Sequence, residues 1–270
     1  MQSYLQTVAD VYTAAATNPD AGLCCTTRPR WHLPDLVIPQ NMLATNYGCG
    51  TTVDPRDLRP GDTVLYVGVG GGLEALEFAY FARRPGGVIA VDPVPAMREQ
   101  ARRNLAEAEK LNPWFRSEFV TLLDGNALEL PVAASSVRAA AQNCLFNVFM
   151  ANDLDRALRE IVRVLKPGGF FATADPITPR PLPEAFRRDE VARARCLSGC
   201  QTFEDYLGAL TSAGFGWVEG NNWDCDLEAG VGWQVHRNVL LDLAYRARGQ
   251  WQDLGANDEV RVRAWYHGPE

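Results

Sequence analysis

The stretch DTVLYVGVGGG, residues 62–72, decides the fold. Val64 to Val67 form a short apolar, β-prone run, the pattern of a strand buried on both faces. The run breaks into Gly68, Gly70, Gly71 and Gly72. Glycines placed there let the backbone turn tightly and approach a ligand closely. LEALEFAYFARR follows as a helix stopped by PGG, and GVIAVD, residues 87–92, as a second apolar strand ending in an acid. Strand, glycine turn, helix and strand make a βαβ unit, and such units build a parallel sheet covered on both faces.

The same alternation continues outward. VPAMREQARRNLAEAEKL reads as a long helix with charges on its outer face. SEFVTLLDGNA reads as a third strand and VRAAAQNCLFNV, residues 137–148, as a fourth. DLDRALREIVRVL is a helix stopped by KPGG, and FFATADP a fifth strand. Before the sheet, residues 1–20 form an amphipathic helix, and residues 21–60 are irregular and rich in Pro, Cys and Gly. After it, residues 181–212 are mostly helical. GWVEGNNW and EVRVRAWY supply candidate closing antiparallel strands. The expected division is therefore 1–60, 61–180 and 181–270.

Composition excludes several classes of function. The 270 residues carry a net charge of −7 and no basic run, which argues against nucleic acid or an anionic membrane as main partner. No stretch of eighteen apolar residues occurs and the start lacks the pattern of a signal peptide, so a cytoplasmic, monomeric protein is expected. In that reducing compartment the seven cysteines serve soft-ligand binding, catalysis or packing rather than structural disulfides. No CxxC pair occurs, and His32, His236 and His267 show no ligand spacing, which leaves zinc without support.

In an open parallel sheet, ligands bind at the carboxyl ends of the strands where the strand order reverses. The glycines do not follow GxGxxG, so a dinucleotide fits badly. Asp92 closes the second strand 24 residues after Gly68, where a carboxylate takes both ribose hydroxyls of an adenosine-containing cofactor. With RVLKPGGFF, residues 163–171, these features resemble the class I S-adenosylmethionine-dependent methyltransferases over residues 61–175. The resemblance implies a Rossmann-like α/β fold with a mostly parallel sheet, an N-terminal thiol-bearing segment and a C-terminal capping region. It also implies cofactor contacts at Gly68, Gly70, Gly72, Asp92, Asn126, Ala127 and Asn143. Asn126 stands where the family usually has an aspartate that receives the adenine amino group, and an amide oxygen can still accept there.

Four thiol-bearing stretches remain: GLCCTTRP, NYGCGTTV, AAQNCLFN and ARCLSGC. Adjacent Cys24 and Cys25 are a poor disulfide pair, because consecutive Cα atoms lie about 3.8 Å apart and a relaxed bridge spans roughly 4.4–6.8 Å. Together with LYVGVGGG these stretches resemble arsenite methyltransferases, in particular the bacterial branch associated with arsenosugar biosynthesis, over about the first 215 residues. The resemblance implies that Cys49, Cys144 and Cys196 hold trivalent arsenic and that Cys24 or Cys25 completes a redox cycle with an external dithiol of the thioredoxin or glutathione type. It implies a cofactor contact for Tyr47, whose ring could face a sulfonium by a cation–π contact. A soft, thiophilic centre suits thiolate ligands. Core packing is the alternative for each thiol, since unbridged cysteine is among the most buried residue types. That is the expectation for Cys200, while Cys225 matches nothing and Trp31 and Trp114 read as packing. Two rival functions stay open. One is a methyltransferase acting on an organic small molecule; the other is a non-catalytic thiol protein that binds arsenite or senses redox state. After Phe215 the sequence departs from what the resemblance leads one to expect.

Overall fold

The computed structural model describes residues 3–20, 23, 29 and 31–215, with the strand backbones of 217–223, 230–234, 240–244 and 258–266. Cys24, Cys25, Cys225, His236 and His267 lie outside the described residues. The elements run α1 (Ser3–Thr17), α2 (Gln40–Ala44), β1 (Val64–Val67), α3 (Leu73–Ala82), β2 (Val88–Asp92), α4 (Pro95–Leu111) and β3 (Val120–Asp124). They continue with β4 (Val137–Asn143), α5 (Ala151–Val164), β5 (Leu165–Ile177), α6 (Glu184–Arg187), α7 (Glu190–Ala194) and α8 (Phe203–Ser212). Four strands follow: β6 (Trp217–Trp223), β7 (Gly230–Gln234), β8 (Leu240–Ala244) and β9 (Asp258–Tyr266).

Among the described residues the strands form one nine-stranded sheet, ordered β3-β2-β1-β4-β5-β9-β6-β8-β7. The first five run parallel, with Val67 of β1 opposite Val91 of β2 and Gln142 of β4. The parallel sheet is the one expected from the alternation of strands and helices, and its β3-β2-β1-β4-β5 order is Rossmann-like. The two stretches expected to close the sheet do so: β9 lies antiparallel to both β5 and β6. The chain order reverses at β1, which has β2 on one side and β4 on the other, and this places a crevice at their carboxyl ends.

Strand pleating sorts the core into two layers. Along β1, Val64 and Tyr66 join the cluster beneath α3 and α4, whereas Leu65 and Val67 join the cluster beneath α5 and α8. Helix α5 presents Leu154, Ala157, Leu158, Ile161 and Val164 to that second layer, an apolar stripe at helical spacing. Fully burying each large side chain contributes roughly 1.5–3 kcal/mol. Helix α1 packs against α4 and α7, which brings the N-terminus over the crevice.

Three boundaries differ from the sequence reading. The fourth strand ends at Asn143 rather than Val148, because Cys144 takes a left-handed φ of 56° and the chain turns into a short 3-10 helix at Phe146–Val148. The third strand starts only at Val120, after another 3-10 turn. KPGG does not separate helix from strand; β5 begins at Leu165 and contains it, with a register shift against β4 between Val137 and Ala139.

Candidate functional site

A cavity of about 410 Å³ opens at the carboxyl ends of β1, β2 and β4. This is within the range of small-molecule sites. Its floor is the glycine turn from Gly68 to Gly71; Asp92–Pro95 and Asn126–Leu128 form one flank, and Asn143, Cys144 and Leu145 the other. Tyr47 and Gly48 close one end. The roof is α1, through Leu5, Val8, Ala9 and Tyr12. Those four share the apolar stripe that made residues 1–20 read as amphipathic, but the sequence did not say that the stripe would cover a ligand.

Gly68 and Gly70 have φ of 81° and 51°, and a Cβ on Gly70 would meet nothing within 4 Å, so its open side faces the cavity space. A Cβ on Gly71 would lie 2.4 Å from Thr45 Oγ1, so only glycine permits Thr45 to pack on the turn. Gly72, expected as a cofactor contact, is not among the lining residues. At φ 89° it caps α3, and a Cβ there would meet Ala101 and Met42.

Asp92 is buried; its Oδ1 accepts from Val94 N–H at 2.9 Å and its Oδ2 from Gly70 N–H at 3.4 Å. A carboxylate offers about four lone-pair sites, so acceptor capacity remains beyond its backbone contacts with Val94, Gly70 and Val69. Burial raises its pKa to about 6, against the lowering effect of the Val94 and Gly70 hydrogen bonds. Open acceptor sites beside an uncrowded glycine fit the ribose of an adenosine cofactor. Asn126 fits its assigned role less well. Its Oδ1 already accepts from Leu128 N–H at 2.8 Å and Glu129 N–H at 3.1 Å, so that oxygen shapes its own loop. Ala127 lies beside it, buried in the wall. Tyr47 donates its hydroxyl to Ala15 O at 3.0 Å and meets the Tyr12 ring edge-on at 6.2 Å. The ring is thereby pinned in the cavity end.

Cys144 and Cys196 meet at the cavity wall, and Cys49 belongs to the same buried cluster. Cys49, Cys144 and Cys196 are 0 %, 3 % and 0 % exposed and belong to one buried cluster. Cys144 lines the cavity itself, at the end of β4. Cys196, also left-handed at φ 58°, donates its Sγ–H to Cys144 O at 2.8 Å. Cys200, expected to be packing, is buried and donates its Sγ–H to Cys196 O at 3.0 Å. Proximity stops short of a closed ligand set. Among the described residues no three His, Cys, Asp or Glu groups converge as they would around an ion.

Two clamps that the sequence reading missed hold the Cys49 turn. Asn143 accepts from Cys49 N–H at 2.7 Å and donates to Gly50 O at 3.3 Å, so it positions a thiol as well as lining the cavity. Glu74, in the first turn of α3, accepts from Thr52 N–H at 2.6 Å, Thr52 Oγ1–H at 2.7 Å and Thr51 Oγ1–H at 3.0 Å. A carboxylate inside the apolar LEALEF turn was the available signal. Glu74 ties the cofactor turn to the TT of NYGCGTT.

Comparison with known proteins agrees with this geometry. Residues 65–173 match the family described as a methyltransferase domain. The arsenite methyltransferase of Halobacterium salinarum is 33 % identical over 193 residues, covering 68 % of this chain and 47 % of that protein. The arsenite methyltransferase of Aquipseudomonas alcaligenes is 32 % identical over 218 residues, covering 78 % of this chain and 58 % of that protein. The chain thus spans about half the length of these curated relatives. A solved structure of an arsenic(III) S-adenosylmethionine methyltransferase from Chlamydomonas reinhardtii has a TM-score of 0.59 at 24 % identity, covering 84 % of this chain and 69 % of that one; it shares the fold. No helix among the described residues is long and apolar enough to cross a membrane.

Proposed function

We propose that this chain, which through residues 65–173 belongs to the methyltransferase-domain family, moves a methyl group from S-adenosylmethionine to thiolate-bound trivalent arsenic. The observation that carries the reading is Cys144 in the wall of the cofactor cavity with Cys49 and Cys196 in the same buried cluster. When bound, S-adenosylmethionine supplies an electrophilic methyl on a sulfonium. The protein's share is placement. Asp92 and the glycine turn would hold the ribose, the Tyr47 ring would face the sulfonium, and α1 covers the cavity. Holding donor and acceptor in line removes most of the entropic barrier, so no strong base is needed. To complete a ligand set, Cys196 turns its Sγ away from Cys144 O as arsenite enters.

Transfer as a methyl cation leaves arsenic two electrons poorer. A pair of protein thiols returns both electrons by closing to a disulfide with loss of two protons, and an external dithiol reopens it. We assign one thiol of that pair to Cys24 or Cys25, which follow α1 in sequence. In this scheme residues 1–60 bring the redox thiols, 61–180 the cofactor site and 181–270 the cap. A set of buried thiols suits a reducing cytoplasm, and the GLCCTT and NYGCGTT stretches favour the branch linked to arsenosugar biosynthesis.

A second reading has support in the cavity wall, where Leu5, Val8, Val148 and Phe149 would also suit an organic acceptor. One experiment separates the readings. Purified protein is incubated with S-adenosylmethionine, arsenite and a dithiol, and arsenic species are resolved by chromatography. Methylated arsenicals are expected. Bound cofactor without methylated arsenic would sink the proposal and leave an organic acceptor or a non-catalytic arsenite binder.

A further inference from the structure

We infer that Asp175 is a positioning residue for the acceptor site, joining Gln142, Thr173 and Tyr206 in a buried network that fixes the Cys144 loop to β5 and to cap helix α8. This rests on the reading of Cys144 as an arsenic ligand. The need arises at the end of β4. Cys144 N–H still reaches Ala174 O at 2.7 Å, but the left-handed turn at Cys144 carries the next residues out of the sheet. Leu145 N–H and Phe146 N–H thereby lose their ladder partners inside the protein, where an unpaired amide is costly. Two side chains replace the ladder. Gln142 Oε1 accepts from Leu145 N–H at 2.8 Å, and Asp175 Oδ1 accepts from Phe146 N–H at 3.2 Å.

The two acceptors are locked to each other. Gln142 Nε2 donates to Asp175 Oδ2, which also accepts from Thr173 Oγ1–H at 3.0 Å and Tyr206 Oη–H at 2.8 Å. Asp175, Gln142 and Thr173 are 1 %, 0 % and 0 % exposed. A core built only for stability has no use for a carboxylate this deep, because burying it costs more than an apolar residue of the same shape. Burial accordingly raises the Asp175 pKa to about 6, against the opposing pull of its hydrogen bonds from Tyr206, Gln142, Thr173 and Phe146. What the group supplies is direction. Its oxygens hold a strained loop beside the cavity, and Tyr206 links that loop to the cap that also carries Cys196 Sγ onto Cys144 O. Left-handed backbone at a non-glycine residue is strained and persists only where its surroundings enforce it.

The test exchanges the network's polarity. In Asp175→Asn the amide nitrogen faces the Gln142 amide nitrogen, donor against donor. Gln142→Glu in the same chain restores an acceptor there and still receives Leu145 N–H. In the full-length protein, Asp175→Asn should raise the KM for arsenite about tenfold, the loss of roughly one buried hydrogen bond, with the KM for S-adenosylmethionine within about twofold. The double variant should recover most of that loss, a rescue that simple destabilisation would not give. Tyr206→Phe, which removes one donor and no charge, should shift arsenite KM the same way by less. An unchanged arsenite KM in Asp175→Asn, or a double variant no better than the single, overturns the inference.

A second measurement reads the loop without arsenite. Iodoacetamide labelling of Cys144 should accelerate about tenfold in Asp175→Asn, while Cys49 labelling stays within about twofold, since only the Cys144 loop is released. Equal acceleration at both cysteines would mean general loosening and would also overturn it. Should the wild type methylate no arsenite while labelling follows the expected pattern, the function proposal fails and the positioning role stands.

Discussion

At the scale of single residues, Asp92 carries two opposed demands. Burial favours its neutral acid, raising the pKa to about 6. Its role as acceptor of two hydroxyls requires the carboxylate. Proton and cofactor therefore compete for it. Affinity for S-adenosylmethionine should be flat above pH 6 and fall by up to about tenfold per pH unit below it, as calorimetric titration from pH 5 to 8 would read. The sign for stability is opposite. A carboxyl whose folded pKa exceeds its unfolded value of about 3.9 stabilises the fold fully below that value, and the benefit is lost as pH rises through 6. Asp92→Asn should thus melt higher than the wild type at pH 7.5 without ligand, while binding cofactor weakly and without pH dependence. Cofactor affinity that stays level down to pH 5 would remove Asp92 from the ribose site.

At the scale of elements, α1 is where sequence reading went half the distance. Leu5, Val8, Ala9 and Tyr12 gave its apolar face, and DTVLYVGVGGG gave the strand and turn, because both patterns are local and periodic. What the face covers was not legible, since it depends on contacts with residues far along the chain. Tyr4 bonds Asp153 of α5, Thr7 bonds Glu190 of α7 at 3.0 Å, and Asp20 pairs with Arg195 at 3.0 Å. The turn at Cys144 was hidden for the same reason. The amide that follows it at Phe146 is received by Asp175, 29 residues on, whereas the run VRAAAQNCLFNV by itself continues as strand. The roof's function is testable through Val8, half-buried over the cavity. Val8→Asp places a charge on the apolar roof and should weaken cofactor binding about tenfold, with only a modest fall in melting temperature, because Val8 is half-buried at the margin of the core layer beneath α5 and α8. A large fall in melting temperature with unchanged cofactor affinity would make α1 a structural brace instead of a roof.

At the scale of the whole molecule, the thiols are enclosed from three sides: by β4 and its loop, by the turn bearing Cys49, and by the cap bearing Cys196. At 0–3 % exposure they react only when one of these walls opens. A ligand that joins all three should close every wall at once, by mass action on the closed form. With arsenite near a hundred times its Kd, labelling of Cys49, Cys144 and Cys196 by iodoacetamide should each slow by about a hundredfold, read peptide by peptide in a mass spectrometer. Cys200 provides the internal control. Its Sγ–H donates to Cys196 O, so it lies outside the proposed set but moves with the same cap segment. If only the cap closes, Cys196 and Cys200 slow together and Cys49 does not. If arsenic is held as proposed, Cys49 and Cys144 slow as much as Cys196, although they lie on separate walls. One of the three labelling at the same rate with and without arsenite removes that thiol from the ligand set.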